Sequence, residues 1–219
     1  MPGFERLNSL WTAAVRLAFW VLYNPLAWGY DWVSRIVSVG HWRQWQRAGL
    51  SRVRGKRVLE LAFGTGDGLC DLHAAQHRVV GLDLSSSMVR ITQHKLQRLG
   101  LSIPLVRGRA QQLPFVDSCF DSVVATFPAD FIVERSTVGE IARVLRPGGQ
   151  AVIVAMAELL PNTLWERFLV GLYQITGQYD PMPDLSALLE PLHLVPHVEQ
   201  VSAGRAAVTL VLLDKQVDV

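Results

Sequence analysis

Between Val58 and Gly68 the sequence reads VLELAFGTGDG. An apolar run carries one carboxylate, Glu60, and then drops into a turn with glycines at 64 and 66. A second acid, Asp83, lies nineteen residues after Gly64 at the end of another apolar run, VVGLDLSSSM. Glycines at this point permit tight turning and let a ligand approach backbone N–H groups. Two phosphate-binding patterns do not fit. The dinucleotide pattern G-x-G-x-x-G requires glycine where Leu69 stands, and the P-loop requires a Gly-Lys-Ser/Thr ending that GTGDG lacks. A carboxylate at the end of the strand would also repel a polyphosphate, whereas it suits an ammonium or a sulfonium. Asp83 can be a cap on the turn into the next helix or the acceptor for both hydroxyls of a ribose. Its joint occurrence with Glu60 and the glycine turn favours the second reading, a cationic ligand with a nucleoside attached.

The elements that must position these residues alternate regularly from residue 57 onward. Strands are expected at Arg57–Phe63, Arg78–Leu82, Ile103–Arg107, Phe120–Thr126 and Gln150–Ala155. Helices are expected between them at Asp67–Gln76, at Ser86–Leu99 behind a Ser85-Ser86-Ser87 cap, and at Glu134–Leu145, which Pro147-Gly148-Gly149 should stop. Near-continuous Val/Ile/Leu strands alternating with helices predict a parallel sheet covered on both faces. A helical stretch near 161–175 and a segment at Leu185–Leu192 follow. Two strands without an intervening helix, Val195–Val201 and Ala206–Leu213, predict an antiparallel edge. The expected fold is α/β, Rossmann-like and doubly wound, with seven mostly parallel strands and an antiparallel C-terminal edge.

The stretches VLELAFGTG, VVGLDLSSSMV, RGRAQQLPFVDSCFDSVVATF and IARVLRPGGQAVIV occur in that order. Over about Lys56 to Ala155 they resemble a class I S-adenosylmethionine-dependent methyltransferase, in the broad group that includes the ubiquinone/menaquinone biosynthesis methyltransferases. The segment from Tyr23 to Trp45 resembles, more loosely, the one preceding the fold in that group. The resemblance implies that Glu60, Gly64 and Gly66 hold the methionine portion of S-adenosylmethionine and that Asp83 holds the ribose. It further implies that Leu84 and Met88 flank the adenine, that Ala110 and Gln111 line its other side, and that Phe127 begins the loop beside the transferable methyl group. Two departures stand out. Where the group has Gly-Asp-Ala-Glu, this chain has Gly108-Arg109-Ala110-Gln111, and arginine cannot accept a hydrogen bond from the adenine amino group. Where quinone-pathway members carry Phe-Gly-x-Arg-Asn, it has Phe127-Pro128-Ala129-Asp130-Phe131, so a quinone acceptor is not implied.

Methyl transfer from a sulfonium gains most from alignment and exclusion of water. A hydroxyl or acidic-carbon acceptor would be helped by a base. Asp130 is the first candidate because the fourth strand delivers it to the same edge; Tyr30, Asp31 and His41 follow, from a segment that could fold over the site. No metal is expected: Cys70, His73 and His77 share helical spacing, but zinc sites usually draw ligands from more than one element.

Composition bounds the rest. The 219 residues, half of them hydrophobic, suffice for one well-buried domain, and the formal charge of +2 does not point to nucleic acid. Two cysteines, Cys70 and Cys119, and no visible secretory signal suggest a reducing cytoplasm. Six of the seven tryptophans precede residue 46, and Leu7, Leu10, Trp11, Ala14, Val15, Ala18 and Leu22 repeat at helical spacing before Asn24-Pro25. That run is too short to span a bilayer. It reads either as a helix on its own domain or as one lying in a membrane surface. Residues 1–50 are therefore expected to form a helical cap with possible peripheral membrane contact, and 51–219 the cofactor-binding domain. From His41 to Arg57 there are six Lys/Arg and no acid. This run reads as a solvated face, a contact for anionic lipid, or a contact for RNA phosphates. The favoured function is methyl transfer to a small lipophilic acceptor. The alternatives are an RNA or protein methyltransferase and a relic that binds the cofactor without turnover.

Overall fold

A computed structural model describes residues 40–159 and 185–217. The expected helices at 7–22 and 161–175, with Tyr30 and Asp31, lie outside the described residues.

Seven strands form one sheet in the order β3-β2-β1-β4-β5-β7-β6. These are β1 (Arg57–Leu61), β2 (Arg78–Asp83), β3 (Leu105–Arg107), β4 (Phe120–Thr126), β5 (Leu145–Leu159), β6 (Leu194–Ala203) and β7 (Ala206–Lys215). The first five pair in parallel, while β7 runs antiparallel to both β5 and β6. Among the described residues five helices accompany them: α1 (Trp42–Leu50), α2 (Asp67–Ala74), α3 (Ser86–Arg98), α4 (Arg135–Val144) and α5 (Ser186–Leu189). The buried residues form two apolar clusters. One holds Leu59, Leu61, Val123, Ala125, Ile141 and Leu145, the other Val58, Leu69, Leu72, Val124, Val152 and Leu210. Successive residues of β1 and β4 fall into opposite clusters, so both faces of each strand are covered and their sequences lack polar alternation.

Chain order reverses between β1 and β4. The crevice outside the C-terminal ends of these two strands is the topological switch point, where open α/β sheets bind ligands. Several local devices hold the surrounding helices. Ser85 caps α3 by accepting from the Met88 N–H, and α3 buries Met88, Thr92 and Leu96 along one stripe. At the far end of α4, Lys215 Nζ donates to the carbonyls of Ala142 and Leu145, each at 2.7 Å.

The boundaries differ from expectation in three instructive places. β1 stops at Leu61 because Ala62 turns into the left-handed region with φ 53°. β5 is not confined to Gln150–Ala155. It starts at Leu145, absorbs Pro147-Gly148-Gly149 in a register shift against β4, and continues to Leu159 because β7 supplies a partner as far as Ala206. The third difference is α1, which the sequence reading placed in the expected cap at 1–50 and in a basic run but did not delimit as a helix packed on the sheet. Trp45 is 2% exposed, and Gly49 presses its backbone against Val154 and so leaves no room for a side chain.

The basic run is largely answered by carboxylates of the domain. Arg43 and Arg47 both bind Asp71, at 2.8 and 2.9 Å. Arg52 meets Glu199, Arg54 meets Asp214, and Arg57 meets Asp121. Five of its six cations are thus paired within the fold, which weakens the run's attraction for an external polyanion.

Candidate active site

The turn between β1 and α2 lies at the switch point and is held from two sides, by β2 and by α3. Gly64, at φ 54°, has open space where a Cβ would point, which leaves its backbone approachable. Its N–H donates to Asp83 Oδ2 at 2.9 Å, and its carbonyl accepts from Thr92 Oγ1 at 2.8 Å. Both polar ends of this one residue are therefore clamped, one by β2 and one by α3. Gly66, at φ 78°, is the N-cap of α2 and sits directly on the Thr92 methyl. Lys95 of α3 also pairs with Asp67 of α2 at 3.2 Å.

Glu60 lies beneath this turn and is 1% exposed. Its Oε2 has no hydrogen-bond partner among the described residues. Gly68, in the first turn of α2, covers the carboxylate so closely that any side chain there would overlap Oε1. Burial pushes the Glu60 carboxyl up to about 8, reinforced by the nearby acids Asp67, Asp71 and Asp83. An unpartnered buried carboxylate is expensive unless a cation arrives to meet it.

Asp83 is 7% exposed. Beyond the Gly64 N–H it accepts from the Ser85 N–H at 2.8 Å. Burial raises its carboxyl, and the N–H groups of Ser85, Gly64 and Leu84 oppose that rise. The turn cap and the ligand acceptor weighed as alternatives are compatible, since each carboxylate oxygen has lone pairs beyond the one its N–H partner takes.

The other predicted residues within the described part of the chain are distributed as follows. Leu84, next along the chain, is 59% exposed. Asp83 pairs in register with Arg107, so the loop after β3, with Ala110 and Gln111, borders the same edge. Ala110 is buried, and Gln111 Nε2 donates to Glu134 Oε2 at 2.9 Å. Met88 is 1% exposed, so it supports this wall from below and offers no surface of its own. Phe127 follows β4 with φ 49°, and its ring lies 4.4 Å from that of Trp42. A left-handed conformation at Ala62 and again at Phe127 places backbone strain just beyond both strands that flank the crevice. Asp130 is exposed and opens a short 3-10 turn, Asp130–Val133. His41 lies against Gly204 in the β6–β7 turn, with Nδ1 3.1 Å from Gln44 Oε1. His77 Nδ1 is 2.9 Å from the Gly55 carbonyl oxygen, and no three potential metal ligands converge among the described residues.

The sequence reading missed Thr92 and Gly68, along with the residues that complete the cleft. The cleft is lined by Trp42 and Gln46 from α1, Ala62–Thr65 from the turn, Asp67, and Thr126 at the end of β4. A threonine interrupting the apolar Met88–Leu96 stripe is a signal that could have exposed the first. Beyond the expectation of a cap at residues 1–50, nothing in the sequence pattern ties α1 to the turn.

A Rossmann-like sheet with paired carboxylates on either side of a glycine turn defines a nucleoside-binding α/β protein. Comparison with known proteins narrows this. A family model described as a methyltransferase domain matches residues 58–149. The demethylmenaquinone methyltransferase of Lactiplantibacillus plantarum is 31% identical over 169 residues, covering 72% of this chain and 71% of that protein. The ubiquinone/menaquinone biosynthesis C-methyltransferase UbiE of Geotalea daltonii is 30% identical over 200 residues, covering 85% of each. Among solved structures, an S-adenosyl-L-methionine-dependent methyltransferase from Methanococcus maripaludis, itself assigned only by inference, superposes with a TM-score of 0.62 at 16% identity, over 88% of this chain and 93% of that one. Geranyl diphosphate C-methyltransferase from Streptomyces coelicolor A3(2) does so at 0.56 and 12%, over 78% and 77%. The chain belongs to the class I S-adenosylmethionine-dependent methyltransferases, in the ubiquinone/menaquinone biosynthesis group. It is an enzyme of methyl transfer, and S-adenosylmethionine is its methyl donor.

Proposed function

We propose that this enzyme methylates a small lipophilic acceptor, holding its cofactor between Glu60 and Asp83. The observation that supports the reading is the buried Glu60 carboxyl beneath the glycine turn, whose Oε2 has no partner among the described residues. It suits the ammonium of the methionyl portion, with Gly64 and Gly66 bringing the backbone close. Asp83 accepts from the ribose hydroxyls, and the exposed Leu84 lies under the adenine. Ala110 and Gln111 border its other side, and Met88 backs the wall.

S-adenosylmethionine supplies a methyl group on a positively charged sulfur, and in-line attack by the acceptor releases a neutral thioether. The chain's contribution is to orient and to exclude water. The Thr92 and Asp83 bonds to Gly64 fix the turn before any ligand arrives, so little ordering remains to be done on binding. Phe127 and Trp42 present an aromatic boundary on the β4 side, which favours a flat or greasy acceptor. Where the acceptor must lose a proton, Asp130 is the base we assign, because its loop follows β4 at the border of the cleft. His41 faces the β6–β7 turn instead. The curated relatives are named for quinone precursors. The Phe127-Pro128-Ala129-Asp130-Phe131 loop departs from the pattern of that group, so the acceptor is assigned as lipophilic and a quinone is not implied.

No helix among the described residues is long and apolar enough to cross a membrane. Peripheral contact through residues 1–22 is part of the proposal, and co-sedimentation with anionic liposomes should fall when they are removed. The decisive experiment is incubation with methyl-labelled cofactor in cell extract. Label is expected in a small organic-soluble product identified by mass. Label in RNA or protein would transfer the assignment to those substrates, and no label anywhere would leave only cofactor binding.

A further inference from the structure

The cleft between the glycine turn and α1 belongs to the far end of the ligand. A ribose at Asp83, on the β2 side, directs its 5′ substituent across the turn above β1 and toward β4. The walls it meets there are Trp42, Gln46, Thr65, Asp67 and Thr126. An amino-acid tail brings a carboxylate as well as an ammonium, and the carboxylate needs donors. Glu60 and Asp67 repel it. The nearest guanidiniums on α1, Arg43 and Arg47, are turned onto Asp71. Among the described residues none of the lining side chains is cationic. Trp42 and Gln46 carry N–H donors and Thr65 and Thr126 carry hydroxyls, of which the amide, with two protons, has the greatest donor capacity. The Trp42 ring packs against Phe127 at a tilt of 34°. Gln46 is half-buried, and its Nε2 already donates to Thr126 Oγ1 at 3.1 Å. That bond uses one of its two amide protons and holds the group at the cleft wall. Docking of α1 through Trp45 and Gly49 fixes the backbone that carries it.

We propose that Gln46 is a specificity-determining residue of the cofactor site, with its amide donating to the methionyl carboxylate across the cleft from the Gly64–Asp67 turn. This assignment rests on the cofactor reading above. It makes α1 part of the binding site and gives the enzyme a means of telling the complete cofactor from nucleosides lacking the carboxylate.

The test is calorimetric titration of the full chain with three ligands. S-adenosylhomocysteine has both charges of the tail, its decarboxylated analogue keeps only the ammonium, and 5′-methylthioadenosine has neither. Gln46→Leu should weaken S-adenosylhomocysteine about tenfold, the scale of one hydrogen bond to a charged group, and leave the other two within about twofold. Gln46→Glu should go further and reverse the preference, weakening S-adenosylhomocysteine while tightening the amine-only analogue. Unchanged affinity for S-adenosylhomocysteine in both variants would overturn the proposal. So would an equal loss across all three ligands, which would mean that α1 had merely shifted. Failure of wild-type protein to bind any of the three would instead refute the cofactor site itself, and the inference with it.

Discussion

Two buried carboxylates on neighbouring strands, at opposite ends of the sheet, show what separates a binding group from a structural one. Glu60 near the end of β1 is 1% exposed, and Asp121 at the start of β4 is 6% exposed. Both expose little surface, but Glu60 lies far deeper in the fold than Asp121, and their partners differ as well. Asp121 Oδ2 accepts from the N–H groups of Lys56 and Arg57 at 2.6 and 2.9 Å, and its Oδ1 faces the guanidiniums of Arg57 and Arg146. Burial alone would raise its carboxyl. The Arg57 and Lys56 N–H groups and the two guanidiniums outweigh that effect and hold it below the usual carboxylate range. Glu60 moves the opposite way, first because burial strips its carboxyl of solvent and then because Asp67, Asp71 and Asp83 lie near it. A satisfied carboxylate ties the sheet together, whereas an unsatisfied one waits for a cation.

The largest expected effect is on the satisfied side. Asp121→Ala should cost about 3 kcal/mol in denaturant unfolding, since it leaves donors and two cations without their acceptor. Affinity of the folded fraction for S-adenosylhomocysteine should not change. The depressed Asp121 carboxyl contributes stability that is present above its unfolded pKa and lost as pH falls through its native one.

Asp83→Asn should come next, weakening S-adenosylhomocysteine and 5′-methylthioadenosine alike by about 10- to 100-fold in calorimetry, because the nucleoside is common to both. Asparagine is the better probe than alanine here. It keeps one oxygen for the Gly64 N–H or the Ser85 N–H, so the turn is less disturbed.

Glu60→Gln should cost about tenfold in S-adenosylhomocysteine affinity near pH 8 and leave 5′-methylthioadenosine unaffected. Its pH signature sharpens the contrast with Asp121. With a native carboxyl near 8, free protein holds a proton that a bound ammonium must expel. Wild-type affinity should therefore rise with pH, by up to about tenfold per unit below 8, with proton release visible as a buffer-dependent heat. Both effects should vanish in Glu60→Gln. The native state binds more protons than the unfolded one between roughly pH 4.5 and 8, so this group lowers unliganded stability as pH rises through that window. The glutamine variant should accordingly melt higher than wild type at pH 8 without ligand.

The smallest effect belongs to the surface. Arg52→Ala removes an exposed pair with Glu199 and should change stability by less than about 0.5 kcal/mol, with no effect on either ligand.

Much of this was legible in sequence because the chemistry is local. Strand β2 is nearly as read, β4 is as read, and Glu60, Gly64 and Asp83 converge because parallel register aligns strand ends that sequence already marks. What was not legible depends on partners distant in the chain. The extent of β5 is set by β7, roughly sixty residues later. Thr92 matters only because the Gly64 carbonyl reaches it across 28 positions. The Gln46–Thr126 bond spans 80. The missing side chains of the glycines at 55 and 68 make room for Asp121 and Glu60 respectively, a need that their own sequence positions do not show.

A crystal structure of the enzyme with S-adenosylhomocysteine tests the central claim most directly. Both ribose hydroxyls should lie within hydrogen-bonding distance of Asp83, and the amino group should face the acidic side of the turn above Glu60. A nucleoside seated away from β2, or a ligand carboxylate turned toward Glu60, would contradict the account.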